Sequence, residues 1–247
     1  MTTSTRMLRA ARTLARDVAP LRFGPPVSHV YNPLVYAWRA QRAYLRAYAA
    51  TPKRVVFLGM NPGPFGMAQT GVAFGDVERV RDWLGIEVPV DRPPSEHPRR
   101  PVEGFGCARS EVSGTRLWGA IAAHFGSPAR FFAHHFVANY CPLLFLEESG
   151  RNRTPDKLRT RERQPLFEAC DRHLLRVVRI LEPEWVIGIG GFAETRARAV
   201  LADVDVRVGR VLHPSPANPR ANRDWAGAVR RELGALGICT GRPARRR

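Results

Sequence analysis

The sequence predicts an α/β fold with a central, mostly parallel sheet covered by helices on both faces. Three observations point there. Short apolar runs at residues 54–59, 131–139, 185–190 and 206–212 have the continuous character of strands buried on both faces. Stretches with helical spacing separate these runs. Polar loops rich in Gly, Pro and Asn follow the strand ends, where open α/β sheets place their ligands.

The elements can be justified in order. Residues 34–50 read as a helix bounded by Pro33 and Pro52, with Tyr36, Ala37, Tyr44 and Leu45 among its apolar positions. Arg54-Val-Val-Phe-Leu-Gly59 is the first strand, and a long loop over residues 60–75 follows it. Asp76 is the expected cap of a helix over residues 77–84. Residues 85–112 carry many prolines and read as irregular, and Ser113 is the expected cap of a helix ending at Phe125. The second strand is expected over residues 131–139, a loop over 140–154 and a helix over 164–181. Trp185-Val-Ile-Gly-Ile-Gly190 is the third strand and residues 192–202 the next helix. The fourth strand, 206–212, leads through a loop at 213–222 to a last helix at 223–236.

Composition narrows the function. The 247 residues fit one large domain, or at most two small ones, and can bury a core without disulfides or metals. No run reaches the ~18 apolar residues of a membrane span, so no membrane partner is expected. The net charge of +17, from 39 basic and 22 acidic side chains, favours a polyanion such as nucleic acid. Lys53 and Lys157 are the only lysines, so part of that charge reflects an arginine-biased composition.

Cys107, Cys141, Cys170 and Cys239 are widely spaced with no C-x-x-C pair, which suits core residues better than zinc or iron–sulfur ligands. No metal and no cofactor is expected. Residues 1–22 form a basic, potentially flexible segment that reads either as a transit peptide or as a frayed helix of a bacterial protein. A single domain is expected over 23–240, with a disordered basic tail at 241–247. A monomer is expected, in the reducing cytoplasm or nucleoid of a bacterium, or in a nucleus if the source is eukaryotic.

Three motifs could carry chemistry. Gly59-Met-Asn-Pro-Gly-Pro-Phe-Gly-Met-Ala-Gln-Thr-Gly-Val-Ala-Phe-Gly75 follows a strand and is too long for a bland connection. It lacks the lysine of a phosphate-binding P-loop, so it is no NTPase element. His213-Pro-Ser-Pro-Ala-Asn-Pro-Arg-Ala-Asn222 is a rigid polar loop whose histidine could steady an oxyanion or ferry a proton. Asn139, at a strand end, offers an amide that can pair with a base edge, although such an Asn is more often a turn residue. Gly188-Ile-Gly-Gly-Phe-Ala193 mimics a dinucleotide fingerprint, but the acidic residue for a ribose is missing. Those glycines read as close helix–strand packing.

Together these motifs resemble the single-strand-selective monofunctional uracil-DNA glycosylase family, from Tyr31 to about Leu236. Val80-Arg-Asp-Trp-Leu-Gly-Ile86, Glu111-Val-Ser-Gly114 and Cys141-Pro-Leu-Leu-Phe-Leu146 support the resemblance. It implies a three-layer αβα fold with a four-stranded sheet, and release of uracil from single- and double-stranded DNA. Under it, Asn61 orients water and His213 stabilises charge on the departing base. Asn139 reads the uracil edge, Phe74 stacks on the ring, and Met60 and Gly63 line the pocket. Gly63 is expected to leave room for 5-hydroxymethyluracil. Ser215, Pro216, Ala217, Asn218, Arg220 and Arg223 are the expected DNA contacts. Ala217 stands where relatives often have Arg, which implies a weaker wedge, and Ala73 where they often have Pro. The rival readings are a non-catalytic DNA-binding module, an NAD-dependent enzyme, and a relative preferring xanthine or hypoxanthine.

Overall fold

The computed structural model describes residues 1–238, so Cys239 and the tail at 241–247 lie outside the described residues. In chain order come helix α1 (Thr3–Val18), strand β1 (Val27–Tyr31), helices α2 (Pro33–Tyr36) and α3 (Trp38–Tyr48), and strand β2 (Val55–Gly59). The short helix α4 (Met67–Thr70) lies inside the glycine-rich loop, and a wide helical turn follows at Arg79–Trp83. Helices α5 (Val112–Phe125) and α6 (Pro128–Phe132) precede strands β3 (His135–Asn139), β4 (Leu144–Glu147) and β5 (Asn152–Arg153). Helix α7 (Thr160–Leu181), strand β6 (Trp185–Ile189), helix α8 (Gly191–Val200), strand β7 (Arg207–Val211) and helix α9 (Pro219–Ala235) complete the described chain.

The main sheet has the order β3-β2-β6-β7, and every pair is parallel. Its two central strands are buried at every residue, which is why they read as unbroken apolar runs. Helices α5 and α9 pack together on one side, and α7 and α8 on the other, giving three layers. The Gly188 turn does what close packing requires, because a Cβ there would lie 2.3 Å from the Glu194 nitrogen of α8.

Several elements differ from the expectation. Strands β1, β4 and β5 form a second, antiparallel sheet, pairing Tyr31 with Leu144 and Phe145 with Arg153; β4 and β5 fall where a loop was expected over 140–154, and residues 27–31 carried no expectation. Residues 131–132 belong to α6, so β3 begins at His135. Glu111, not Ser113, holds the N-cap position of α5, and Ser113 is buried inside the helix. Helix α7 begins at Thr160 and tolerates Pro165 in its second turn. Asp76 accepts a hydrogen bond from the Arg79 N–H at 3.4 Å, as a cap should.

The basic N-terminal segment is a docked helix. Thr2 caps α1 by accepting from the Thr5 N–H, and Met7, Ala10, Ala11, Leu14, Ala15 and Val18 face inward. That face packs on α7 and α3. Among the described residues no helix is long and apolar enough to cross a membrane.

Candidate active site

Because the main sheet is parallel, the carboxyl ends of β2, β3, β6 and β7 share one edge. Gly59 and Asn139 end their strands in register. The segments beyond them are zipped together: the Tyr140 N–H donates to the Gly59 carbonyl (2.9 Å) and the Cys141 N–H to the Met60 carbonyl (2.8 Å). Gly59 is glycine for a spatial reason. A Cβ there would fall 2.4 Å from Asn139 Oδ1 and 2.5 Å from the Phe74 ring. The missing side chain lets amide and ring close on the same spot.

His213 comes from β7, which is not a neighbour of β2, since β6 lies between them. The sequence left the adjacency of these strands open. Gly190 bridges the gap. A Cβ on it would sit 3.2 Å from the His213 Cβ, so the histidine lies across the end of β6. The rings of Phe74 and His213 then approach to 6.1 Å between centroids.

The hydrogen bonds define what each polar group can do. Asn61 donates from Nδ2 to the carbonyls of Leu143 (3.2 Å) and Pro62 (3.4 Å). That orientation leaves Oδ1 as an acceptor with no protein partner among the described residues. Asn139 donates from Nδ2 to the Met67 sulfur at 3.4 Å, and its Oδ1 is buried with no partner among the described residues. His213 accepts the Ser215 N–H at Nδ1 (3.1 Å), so the neutral ring carries its proton on Nε2. Burial lowers the pKa of His213 below the ordinary value. Near neutral pH this favours the neutral ring, with its N–H at Nε2.

The glycine-rich loop is strained and held from outside. Phe74 has a φ of 54°, a left-handed value rarely adopted outside glycine. Helix α5 presses on it, because a Cβ at Gly114 would lie 2.1 Å from the Phe74 carbonyl oxygen. Gln69, almost wholly buried, donates to the carbonyls of Pro64 (2.9 Å) and Pro101 (3.0 Å). Its oxygen accepts the N–H groups of Glu103 (2.8 Å) and Gly104 (3.1 Å). Asp76 accepts from the Ser110 hydroxyl (2.8 Å) and the Glu111 N–H (3.0 Å).

Gly63 has a rationale beside the expected one. A Cβ there would lie 2.4 Å from the Glu111 carboxylate, so the glycine makes room for a protein side chain. Burial raises the pKa of that carboxyl group, and one of its oxygens has no partner.

Sequence reasoning missed Gln69, Glu111 and Arg116. Arg116, on α5, donates to the Pro214 carbonyl (3.0 Å) and to Asn222 Oδ1 (2.8 Å), and Asn222 donates on to the Pro216 carbonyl (2.9 Å). One helix therefore braces both the asparagine loop and the histidine loop. Of the expected DNA contacts, Pro216, Ala217, Arg220 and Arg223 are exposed, and Ser215 and Asn218 are half-buried. Ser215 accepts the Ala217 N–H, Asn218 caps α9, and Arg220 pairs loosely with Glu232 at 3.7 Å.

Fold and site define a class: an open parallel-sheet α/β protein that gathers an aromatic ring, an amide and a histidine at the carboxyl ends of its strands. Residues 46–233 match the model of the uracil DNA glycosylase superfamily. The chain is 51% identical over 227 residues to the Mus musculus single-strand selective monofunctional uracil DNA glycosylase, covering 91% of this chain and 81% of that protein. The Rattus norvegicus protein of the same description is 52% identical, with 91% and 82% covered. The crystal structure of wild-type Pedobacter heparinus SMUG2 shares the fold, with a TM-score of 0.68 at 17% identity over 96% of this chain and 97% of that one. The chain belongs to the uracil DNA glycosylase superfamily, among its single-strand selective monofunctional members.

Proposed function

We propose that this protein hydrolyses the bond between uracil and deoxyribose in DNA and leaves the strand unbroken. The observation that carries the reading is Asn139: among the described residues, a buried acceptor without a partner and a donor satisfied only by sulfur, beside the Phe74 ring. A uracil ring offers the complement, N3–H to the oxygen and O4 to the NH₂ group. Cytosine offers the reverse pattern, and one good bidentate contact discriminates bases by roughly 1–3 kcal/mol.

A stacked base is out of reach, so it is extruded at a cost of roughly a few kcal/mol. A single strand avoids most of that cost. As the glycosidic bond breaks, negative charge gathers on the base, and the His213 Nε2–H is the donor that stabilises it. Asn61 Oδ1 orients water toward the sugar carbon. An amide is too weak a base to remove a proton early, so Asn61→Asp keeps substantial activity.

Strand cleavage through a Schiff base needs a free amine. Lys53 is buried before β2, away from the carboxyl ends, and donates to the Thr51 hydroxyl and the Phe132 carbonyl. Lys157 sits in a turn at Pro155–Lys157, outside the three loops that carry Asn61, Asn139 and His213. We extend the substrates to 5-hydroxymethyluracil, whose hydroxyl replaces the hydrogen bonds of a displaced water, and exclude thymine, whose methyl cannot. The test is a release panel of uracil, 5-hydroxymethyluracil, xanthine, hypoxanthine and thymine in both strand forms, before and after alkali. Failure to release uracil overturns the function, and equal release of thymine overturns the pocket.

A further inference from the structure

We propose that Phe65, Arg100 and Arg109 form a seat for the phosphodiester backbone of the substrate strand. The inference rests on reading the protein as one that acts on DNA. Phe65 lies four residues beyond Asn61 on the same loop. The Arg109 guanidinium sits 4.0 Å from the centre of its ring and that of Arg100 sits 5.3 Å away. Both distances fall within the roughly 6 Å reach of a cation–π contact. A guanidinium stacked by its face keeps its in-plane N–H donors for an anion.

Most of those donors are not used inside the protein. Neither arginine forms an ion pair among the described residues, unlike Arg153 with Glu147 or Arg196 with Asp171. Arg109 is exposed, and none of its side-chain donors has a protein acceptor among the described residues. Arg100 spends Nη1 on the Arg99 carbonyl (2.8 Å) and its Nε is buried, which leaves Nη2, without a protein acceptor among the described residues, for the anion.

The seat is built rather than incidental. Gln69 bonds the carbonyls of Pro64 and Pro101 with one NH₂ group, which sets the Phe65 turn beside the Arg100 turn. The Tyr31 hydroxyl holds the Arg100 carbonyl at 2.8 Å, and the Phe65 N–H donates to the Glu111 carboxyl. A rigid aromatic platform thus carries two uncompensated positive charges next to the loop of Asn61. The chemistry selects an anion over a base, because the ring is already covered by a guanidinium. A strand backbone supplies such anions beside every nucleotide the site could take.

The test is equilibrium binding of the full chain to uracil-free oligothymidylate by fluorescence anisotropy at several salt concentrations. For a single strand, each phosphate the protein no longer neutralises lowers the salt slope by about 0.7, so R100Q with R109Q lowers it by about 1.4. R109K keeps the charge and restores most of the slope of the single variant R109Q. Arg54, exposed before the amino end of β2, is the control, and R54Q leaves the slope unchanged. A double variant that behaves like R54Q, while its far-ultraviolet spectrum is native, overturns the seat. Inorganic phosphate is a separate arm. If it stabilises the native chain but not the double variant, and the DNA slope is unmoved, the site binds free phosphate and the strand assignment fails. Uracil release is measured in parallel. Release with an unchanged slope sinks the seat alone, whereas a changed slope without release sinks the enzymatic reading alone.

Discussion

Residues 60–75 rest on Gln69, Thr70 and Asp76, none more than 3% exposed, whereas Pro216 and Ala217 stand in solvent. The first loop is anchored by hydrogen bonds made inside the protein, four of them from Gln69 alone. The second is held chiefly by Arg116 and by its relay through Asn222 to Pro216. Under the proposed function, the difference follows from what each loop meets. A loop that discriminates among bases must keep its donors and acceptors fixed to a fraction of an ångström. A loop that enters a nucleic acid must adjust to its partner, and elements that move are drawn from the less stable parts of a fold. Rigidity here is local, and buried polar side chains supply it.

The largest expected effect tests the rigid side. Gln69→Leu leaves four backbone groups without partners, at about 1–3 kcal/mol for each buried orphan. Urea unfolding should show a loss of about 4 kcal/mol or more. A loss under about 1 kcal/mol would mean the loop does not depend on this side chain. Next comes His213→Ala, which should slow uracil release by roughly 10²–10³-fold in single-turnover assays. Little change is expected in the unfolding midpoint, and a fall below about tenfold would remove the histidine from the chemistry.

The pH profile sharpens that role. Burial depresses the pKa of His213, so the ring stays neutral as pH falls through its ordinary value near 6.5. The acid limb of the release rate should therefore lie below pH 6.5. The unfolded chain binds this proton more readily, so the histidine's contribution to stability is present at neutral pH and declines below about 6.5. Release that instead falls as pH rises through that region would mean the ring works as a cation.

A smaller effect is expected at the loose side. Arg116→Met frees the Pro214 carbonyl and Asn222, and should lower kcat by roughly tenfold while KM changes little, since hydrogen bonds to a charged group contribute about 1.5–3 kcal/mol. An effect confined to KM would point to binding rather than placement of His213. The smallest is Ala217→Arg at the exposed tip, expected to raise release from duplex severalfold relative to single-stranded DNA, comparable to about 1 kcal/mol of added phosphate attraction. An unchanged ratio would show that the tip is not the wedge.

The parallel sheet was legible because β2 and β6 are apolar at consecutive positions, and Asn61, Asn139 and His213 stood out where apolar runs give way to polar loops. The antiparallel sheet was not. Its pairing of residues 27–31 with 144–147 spans nearly half the chain, and no hairpin turn announces it. Phe131 and Phe132 extended the apparent strand, although Pro128 at the first position of α6 was a helix signal. Glu111, Arg116 and Gln69 were hidden for a deeper reason. Each acts on main-chain groups or glycines supplied by other segments, and no local pattern encodes that.

Strand β6 sends no named side chain into the site, yet its terminus shapes the chemistry by vacancy. The histidine must travel the width of a strand, about 4.8 Å, to meet the aromatic ring. Gly190 clears that path. A methyl group at this one position would displace the proton donor without altering any group that meets the base, so the reach of the edge strand is set by an atom the chain does not have.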